Sequence, residues 1–333
     1  MPLQKFQFRP GINREVTSYT NEGGWYDCDK VRFTKGFPEK IGGWVKYSQS
    51  SVLGVASNMH QWRTLQSEKL MGVGTTQKYY IEEGQGFNDI TPLRATTAAG
   101  DVTFSATDGS YLITVTDVDN EVLVGDFVTF SGAASLGGLI TADVLNQEYQ
   151  VVSVVDADTY VIEARDASTP IGSITVDGVL APSYVTANSS DTGDGGASVV
   201  GAYQIGTTPD FVVTGAGWGA GTWGRGAWGS TAEFATVTGT YRQWTHDNFG
   251  EDLIFNPRDG NIYYWDRSAS VGSFQRAVPL SSLSGASNAP TVAKGIMVSD
   301  RDRHIIAFGC DPVDNPGVQD PMLIRFSDQE DAA

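Results

Sequence analysis

One unit of four short apolar segments is written twice in this chain and a third time more loosely. The first copy reads Met59-His60-Gln61-Trp62-Arg63, Lys69-Leu70-Met71-Gly72-Val73-Gly74, Gln77-Lys78-Tyr79-Tyr80-Ile81 and Phe87-Asn88-Asp89-Ile90-Thr91-Pro92-Leu93. The second reads Tyr241-Arg242-Gln243-Trp244-Thr245, Asp252-Leu253-Ile254-Phe255-Asn256, Asn261-Ile262-Tyr263-Tyr264-Trp265 and Phe274-Gln275-Arg276-Ala277-Val278-Pro279-Leu280. Shared anchors are Gln-Trp, an acidic residue before the second segment, Tyr-Tyr, and a closing Pro-Leu. The loose copy runs through Gly295-Ile296-Met297-Val298, Ile305-Ile306-Ala307-Phe308 and Leu323-Ile324-Arg325-Phe326. Short β-branched and aromatic runs between Gly, Asn, Asp and Ser clusters read as strands and turns. Four-stranded units recurring every ~40–50 residues are the pattern of β-propeller blades. One twisted sheet cannot bury both of its faces, so neighbouring sheets must stack to do it. An ordinary sandwich meander is the alternative.

The repeat is interrupted. Residues 97–184 have their own strand pattern: Leu112-Ile113-Thr114-Val115, Asp126-Phe127-Val128-Thr129-Phe130, Tyr149-Gln150-Val151-Val152-Ser153-Val154 and Thr159-Tyr160-Val161-Ile162. The expected fold class is therefore all-β: propeller-like blades with an inserted small β-barrel or sandwich. The expected organisation is a first propeller-like part at 1–96, the insert at 97–184, a Gly/Ser linker at 185–199, and a second propeller-like part at 200–333. No long stretch has the apolar spacing of a helix.

Charge sharpens that division. The formal net charge is −17, and residues 101–200 hold 15 acidic residues against one basic residue, Arg165. So acidic a segment does not seek phosphates or anionic lipid; it reads as a highly solvated surface that projects outward. Cys28 and Cys310 do not make a disulfide framework. The N-terminus lacks a signal peptide's apolar core, and no apolar run reaches the ~20 residues of a membrane span. Synthesis in a cytoplasm is expected.

Chemistry is hard to find. Phosphate-loop and nucleophile-elbow motifs are absent. His60, His246 and His304 are far apart and sit in no zinc-binding frame. Asp117-Val118-Asp119-Asn120-Glu121 opens like a calcium loop, but Val122 and Val128 stand where Gly and a bidentate Glu are required. Glu251, Asp252 and Asp259 could form a glycosidase pair only if a cleft brought two carboxyls together, and Asp259-Gly260 reads as a hairpin turn. The expectation is no enzyme: no catalytic residue, cofactor or metal. A Gly/Trp-rich loop at 215–230 stands apart. Trp218, Trp223 and Trp228 recur among glycines around Arg225. Tryptophan supplies large contact area at low entropy cost, so these residues are the candidate subunit interface. A loop folded over its own Phe211-Val212-Val213 is the alternative.

Several stretches carry a resemblance. They are Phe8-Arg9-Pro10-Gly11-Ile12-Asn13-Arg14-Glu15, Tyr19-Thr20-Asn21-Glu22-Gly23-Gly24-Trp25-Tyr26, Lys30-Val31-Arg32-Phe33, Pro38-Glu39-Lys40-Ile41-Gly42-Gly43-Trp44 and Asn248-Phe249-Gly250-Glu251-Asp252-Leu253, with the Gly/Trp loop. Together they resemble structural proteins of tailed bacteriophages, and among those the nozzle, or tail tubular protein B, family of short-tailed phages. The resemblance covers roughly residues 1–95 and 200–333 and implies a tail protein of the virion, assembled in the host cytoplasm. It implies a homo-oligomeric ring, six copies most commonly, below a tail adaptor or portal-proximal ring. Such a ring extends the DNA-ejection conduit, supports tail fibres, and lets phage DNA pass without sequence recognition. Gly125-Asp126-Phe127-Val128 and Tyr149-Gln150-Val151 are similar to small phage β-modules akin to the FCCH barrel of ubiquitin-activating enzymes. Nozzle-like proteins are generally longer, and three units cannot close a propeller. Either a C-terminal part is missing or partner chains complete the sheets. The competing function is a carbohydrate-binding or carbohydrate-cleaving propeller acting on the host envelope.

Overall fold

The computed structural model describes residues 9–43, 45–48, 50–166, 183–206 and 243–332. Contacts divide the chain into two units, residues 1–49 and 50–333. The smaller unit has one hairpin, β1 (Val31–Thr34) with β2 (Phe37–Lys40). A bridge joins Ile12 to Trp25, the Trp25 and Phe33 rings meet edge to face, and Arg14 pairs with Asp27. The expected first part at 1–96 is thus corrected: its first 49 residues belong to this separate unit.

In the larger unit each repeat folds into one antiparallel sheet. The first contains β3 (Ala56–Arg63), β4 (Lys69–Thr75), β5 (Tyr79–Glu83) and β6 (Gly86–Asp89), in chain order. Next comes an acidic β-unit of β7 (Leu93–Thr96), β8 (Thr103–Ala106), β9 (Leu112–Thr116), β10 (Phe127–Ser131), the short helix α1 (Ala142–Leu145), β11 (Glu148–Gln150), β12 (Ser153–Val154), β13 (Thr159–Glu163) and β14 (Val200–Gln204). The second repeat sheet is β15 (Trp244–Phe249), β16 (Asp252–Pro257), β17 (Tyr263–Trp265) and β18 (Val278–Pro279). The third is β19 (Gly295–Val298), β20 (Ile305–Phe308) and β21 (Ile324–Phe326).

The three repeat sheets stack face to face. Strand alternation sends Leu253 and Phe255 of β16 into a core shared with Trp62, Leu70, Tyr79 and Ile81 of the first sheet. Ile254, between them, points the other way, into a core shared with Ile296, Val298, Ile305 and Ala307 of the third sheet. The second sheet is therefore buried on both faces. The first strands lie closest together: β15 packs against both β3 and β19.

The acidic unit folds around a core of its own. Its sheets are ordered β11-β10-β14-β7 and β12-β13-β9-β8, and Phe104, Val115, Phe130, Tyr149, Tyr160 and Val199 fill the space between them. Residues 149–154, expected as one strand, divide between the two sheets because the chain turns a corner at Val151-Val152. Val151 donates to Asp126 in one sheet and Val152 donates to Val161 in the other.

Two expected boundaries move. Strand β14 returns to pair with β7, so the acidic unit spans residues 93–204 rather than 97–184, and residues 200–204 leave the second propeller-like part. The expected linker at 185–199 is a built loop. The Asp191 carboxylate accepts the backbone N–H groups of Gly138, Leu139, Ile140 and Asn188 at 2.8–3.0 Å. Burial would push this carboxyl up, but those four donors hold it below the ordinary aspartate range.

Candidate functional site

Trp218, Trp223, Trp228 and Arg225 lie outside the described residues. What the described residues bring together is a histidine pair that the sequence leaves far apart. His60 comes from β3 and His246 from β15, and their ring centroids are 5.4 Å apart. The Tyr79 hydroxyl lies 2.7 Å from His246 Nδ1. Which of the two donates is set by the imidazole tautomer. His60 stacks on Trp62 and lies 3.2 Å from Asn248 Oδ1 and 3.9 Å from the Asp247 carboxylate. Burial first, then the charge of His60, lowers the His246 pKa to about 4. Burial also holds the Tyr79 hydroxyl well above its ordinary range.

Glycine makes this close packing fit. A Cβ at Gly72 would lie 2.6 Å from the Tyr79 hydroxyl oxygen, and one at Gly74 would overlap the Trp244 ring. Around the pair, Tyr79 stacks on Phe255 at 4.0 Å between centroids and meets Trp244 edge to face at 5.0 Å. Two indoles staple the sheets in opposite directions. Trp62 Nε1 donates to the Glu251 carbonyl in the β15–β16 turn, and Trp244 Nε1 donates to the Thr75 carbonyl at the end of β4.

These tryptophans correct one anchor of the repeat. Trp62 is opposite Leu70 beside its hairpin, whereas Trp244 opens its strand opposite Pro257. They match in sequence but sit at opposite ends of their strands, because β15 runs on to Phe249.

A second cluster fastens the acidic unit to the stack. Buried Lys78 reaches Asp89 at 2.7 Å and Glu148 of β11 at 2.6 Å, and Arg276 approaches the same two carboxylates at 3.5 and 3.7 Å. Gln204 also donates to Glu148. Two cations thus meet two carboxylates. Burial would raise the Asp89 carboxyl, but Lys78 and Arg276 hold it below the usual range.

The carboxylates weighed for catalysis have structural partners. Glu251 accepts the Leu65 N–H, and Asp252 accepts the Tyr264 hydroxyl and the Arg267 N–H. Asp259 sits at φ 61° in the turn before Gly260. Asp117 accepts the Tyr203 hydroxyl, which also bonds Tyr160. A cavity of about 260 Å³ beside the third sheet includes Arg325, whose guanidinium donates to the carbonyls of Asp311 and Asn288. Among the described residues no cluster of three or more His, Cys, Asp or Glu side chains is placed to hold a metal, and no helix is long and apolar enough to cross a membrane. Cys28 and Cys310 are both free thiols.

No family model matches the chain, and no curated protein matches it. Among solved structures, the chain is similar to the phage phi92 endosialidase, with a TM-score of 0.21 and 15% identity over 77% of this chain. It spans about a third of that longer chain, of which 32% is covered.

Proposed function

We propose that this chain is a structural, non-catalytic component of a phage tail, a nozzle-like ring protein of the DNA-ejection conduit. The observation that supports the reading is the stack of three antiparallel sheets whose first strands lie closest together. Sheets arranged in that way fan outward like propeller blades and expose their hairpin ends to partners. The outer face of the third sheet leaves Met297 44%, Ile324 57% and Phe326 75% exposed. Such an apolar face suits a further sheet of the same kind.

In this reading neighbouring copies form a ring, with an adaptor ring and tail fibres as further partners. Trp218, Trp223, Trp228 and Arg225 supply the contact between copies, where tryptophan anchors are worth about 2 kcal/mol or more each. Mass spectrometry of purified virions tests the role: the chain is expected at a few to a dozen copies per particle, and its absence overturns the proposal. Electron microscopy of the purified chain tests the ring. Trp223→Ala is expected to abolish assembly while the monomer keeps its melting temperature.

A further inference from the structure

We propose that the contact of His246 with Tyr79 and His60 is an acid-sensitive latch between the first and second repeat sheets. His246 Nδ1 lies 2.7 Å from the Tyr79 hydroxyl of the first sheet, and the ring lies against His60 of β3. A second ring proton keeps the Tyr79 bond only with the phenol oxygen accepting, and it puts a charge beside a second imidazole, His60, at 5.4 Å between ring centroids.

The surroundings do not compensate. From β3 the ring faces His60, a second basic group, and from β5 it faces Tyr79. From β4 the nearest position to the Tyr79 hydroxyl is Gly72, which has no side chain, and from β16 Phe255 covers the tyrosine. On β15 itself, Asp247 attracts a proton to His246, but its Oδ2 accepts the Val298 N–H of the third sheet and its Oδ1 accepts the Asn248 N–H. Protonation therefore sets a charge in the seam beside a second imidazole, and parting β3 from β15 relieves it.

The window belongs to the histidines. His246 is neutral in the folded chain until about pH 4, whereas an ordinary histidine takes its proton near pH 6.5. The open state binds more protons, so the latch is complete above about 6.5 and is lost as pH falls towards 4. Carboxylates also tie these sheets: Glu68 and Glu83 to Arg267, Asp89 to Arg276, and Glu251 to the Leu65 N–H. Arg267 holds the Glu68 carboxyl, and Lys78 with Arg276 the Asp89 carboxyl, below the usual range, and His246→Gln keeps every one of these ties.

Hydrogen–deuterium exchange of the full chain, corrected for intrinsic rates from pH 7.5 to 4, is the test. Opening of residues 56–63, 79–83 and 244–249 is expected to rise roughly 100- to 300-fold across the window, while residues 295–308 keep their protection. His246→Gln keeps an amide that can bond the Tyr79 hydroxyl without a titrating group, and its profile is expected to be flat. Wild-type protection that persists to pH 4, or equal loss in wild type and His246→Gln, overturns the latch. Should His246→Gln fail to fold, His60→Gln decides. Removing the second imidazole raises the folded pKa of His246, so the rise in opening is expected to shrink, and an unchanged rise overturns the proposal.

Discussion

The acidic unit and the stacked sheets are built from the same short strands, yet they solve burial in opposite ways. In the acidic unit two sheets face each other, and Phe104, Phe130, Tyr149 and Tyr160 never leave that enclosure. Among the stacked sheets the apolar side chains form two cores, and each belongs to two sheets at once. A unit with a private core has a stability of its own. Sheets with shared cores have stabilities that are sums over neighbours, so loss at one interface is felt by both sides.

Cutting the chain tests this contrast most severely. Residues 93–204 excised alone are expected to melt cooperatively, because both sheets and the loop at Asp191 are intact. Residues 97–184 lack β7 and β14 and are expected not to fold. Circular dichroism and amide dispersion distinguish the two, and a folded 97–184 fragment would return the boundary to where the strand pattern alone puts it.

A core substitution sharpens the same comparison. Phe255 is fully buried between Tyr79, Trp244 and Tyr263. Phe255→Ala is expected to cost about 3–5 kcal/mol and to raise exchange in the first sheet as well as the second. Phe130→Ala in the acidic unit is expected to cost as much but to spare both repeat sheets. Loss of protection confined to the second sheet in Phe255→Ala would mean that its core is not shared.

The junction between the regions gives a smaller effect. Lys78→Met leaves Asp89 and Glu148 with Arg276 as the remaining cation, and removing one member of a buried charge cluster costs about 3 kcal/mol. The excised 93–204 unit lacks Lys78, so its melting is expected to be unaffected by the loss. In the full chain the acidic unit is expected to melt separately from the stack, seen by calorimetry as two transitions where wild type shows coupling.

The two regions also differ in how far they could be read from sequence. Strands β16, β19 and β20 lie almost where the repeat puts them, because a single hydrophobic alternation decides a strand that is buried on both faces or one. The acidic unit's ends were hidden. β7 and β14 each have only four or five residues and pair across more than a hundred intervening positions, and nothing local announces such a partner. Asn188-Ser189-Ser190-Asp191 has a linker's composition, yet three backbone donors at Gly138, Leu139 and Ile140 need that one carboxylate. The His60–His246 pair was illegible for the same reason. Each histidine reads singly as a strand residue, and only the stacking of one sheet on another brings them together. A usable signal was Gly72 and Gly74 on the inward face of β4, where alternation calls for large side chains and the chain supplies none.

The smallest effect lies at the seam between the second and third sheets. Thr245 on β15 points towards β19, where its hydroxyl accepts the Ile296 N–H at 3.1 Å and lies 3.2 Å from Asn256 Oδ1. Two residues on, Asp247 accepts the Val298 N–H at 2.9 Å. These side chains close an edge of β19 to which no strand is paired among the described residues. Thr245→Val keeps the shape, including the methyl group that faces Gly295, and removes only the hydroxyl. The Ile296 N–H is then left without its acceptor in a half-buried seam, which costs about 1–2 kcal/mol. Because the seam is shared, faster exchange is expected at Ile296 and in the facing strand β15, with the acidic unit unchanged. Equilibrium urea unfolding gives the magnitude and exchange gives the location. A loss near zero would mean that water replaces the hydroxyl, and that apolar stacking alone holds the third sheet in place.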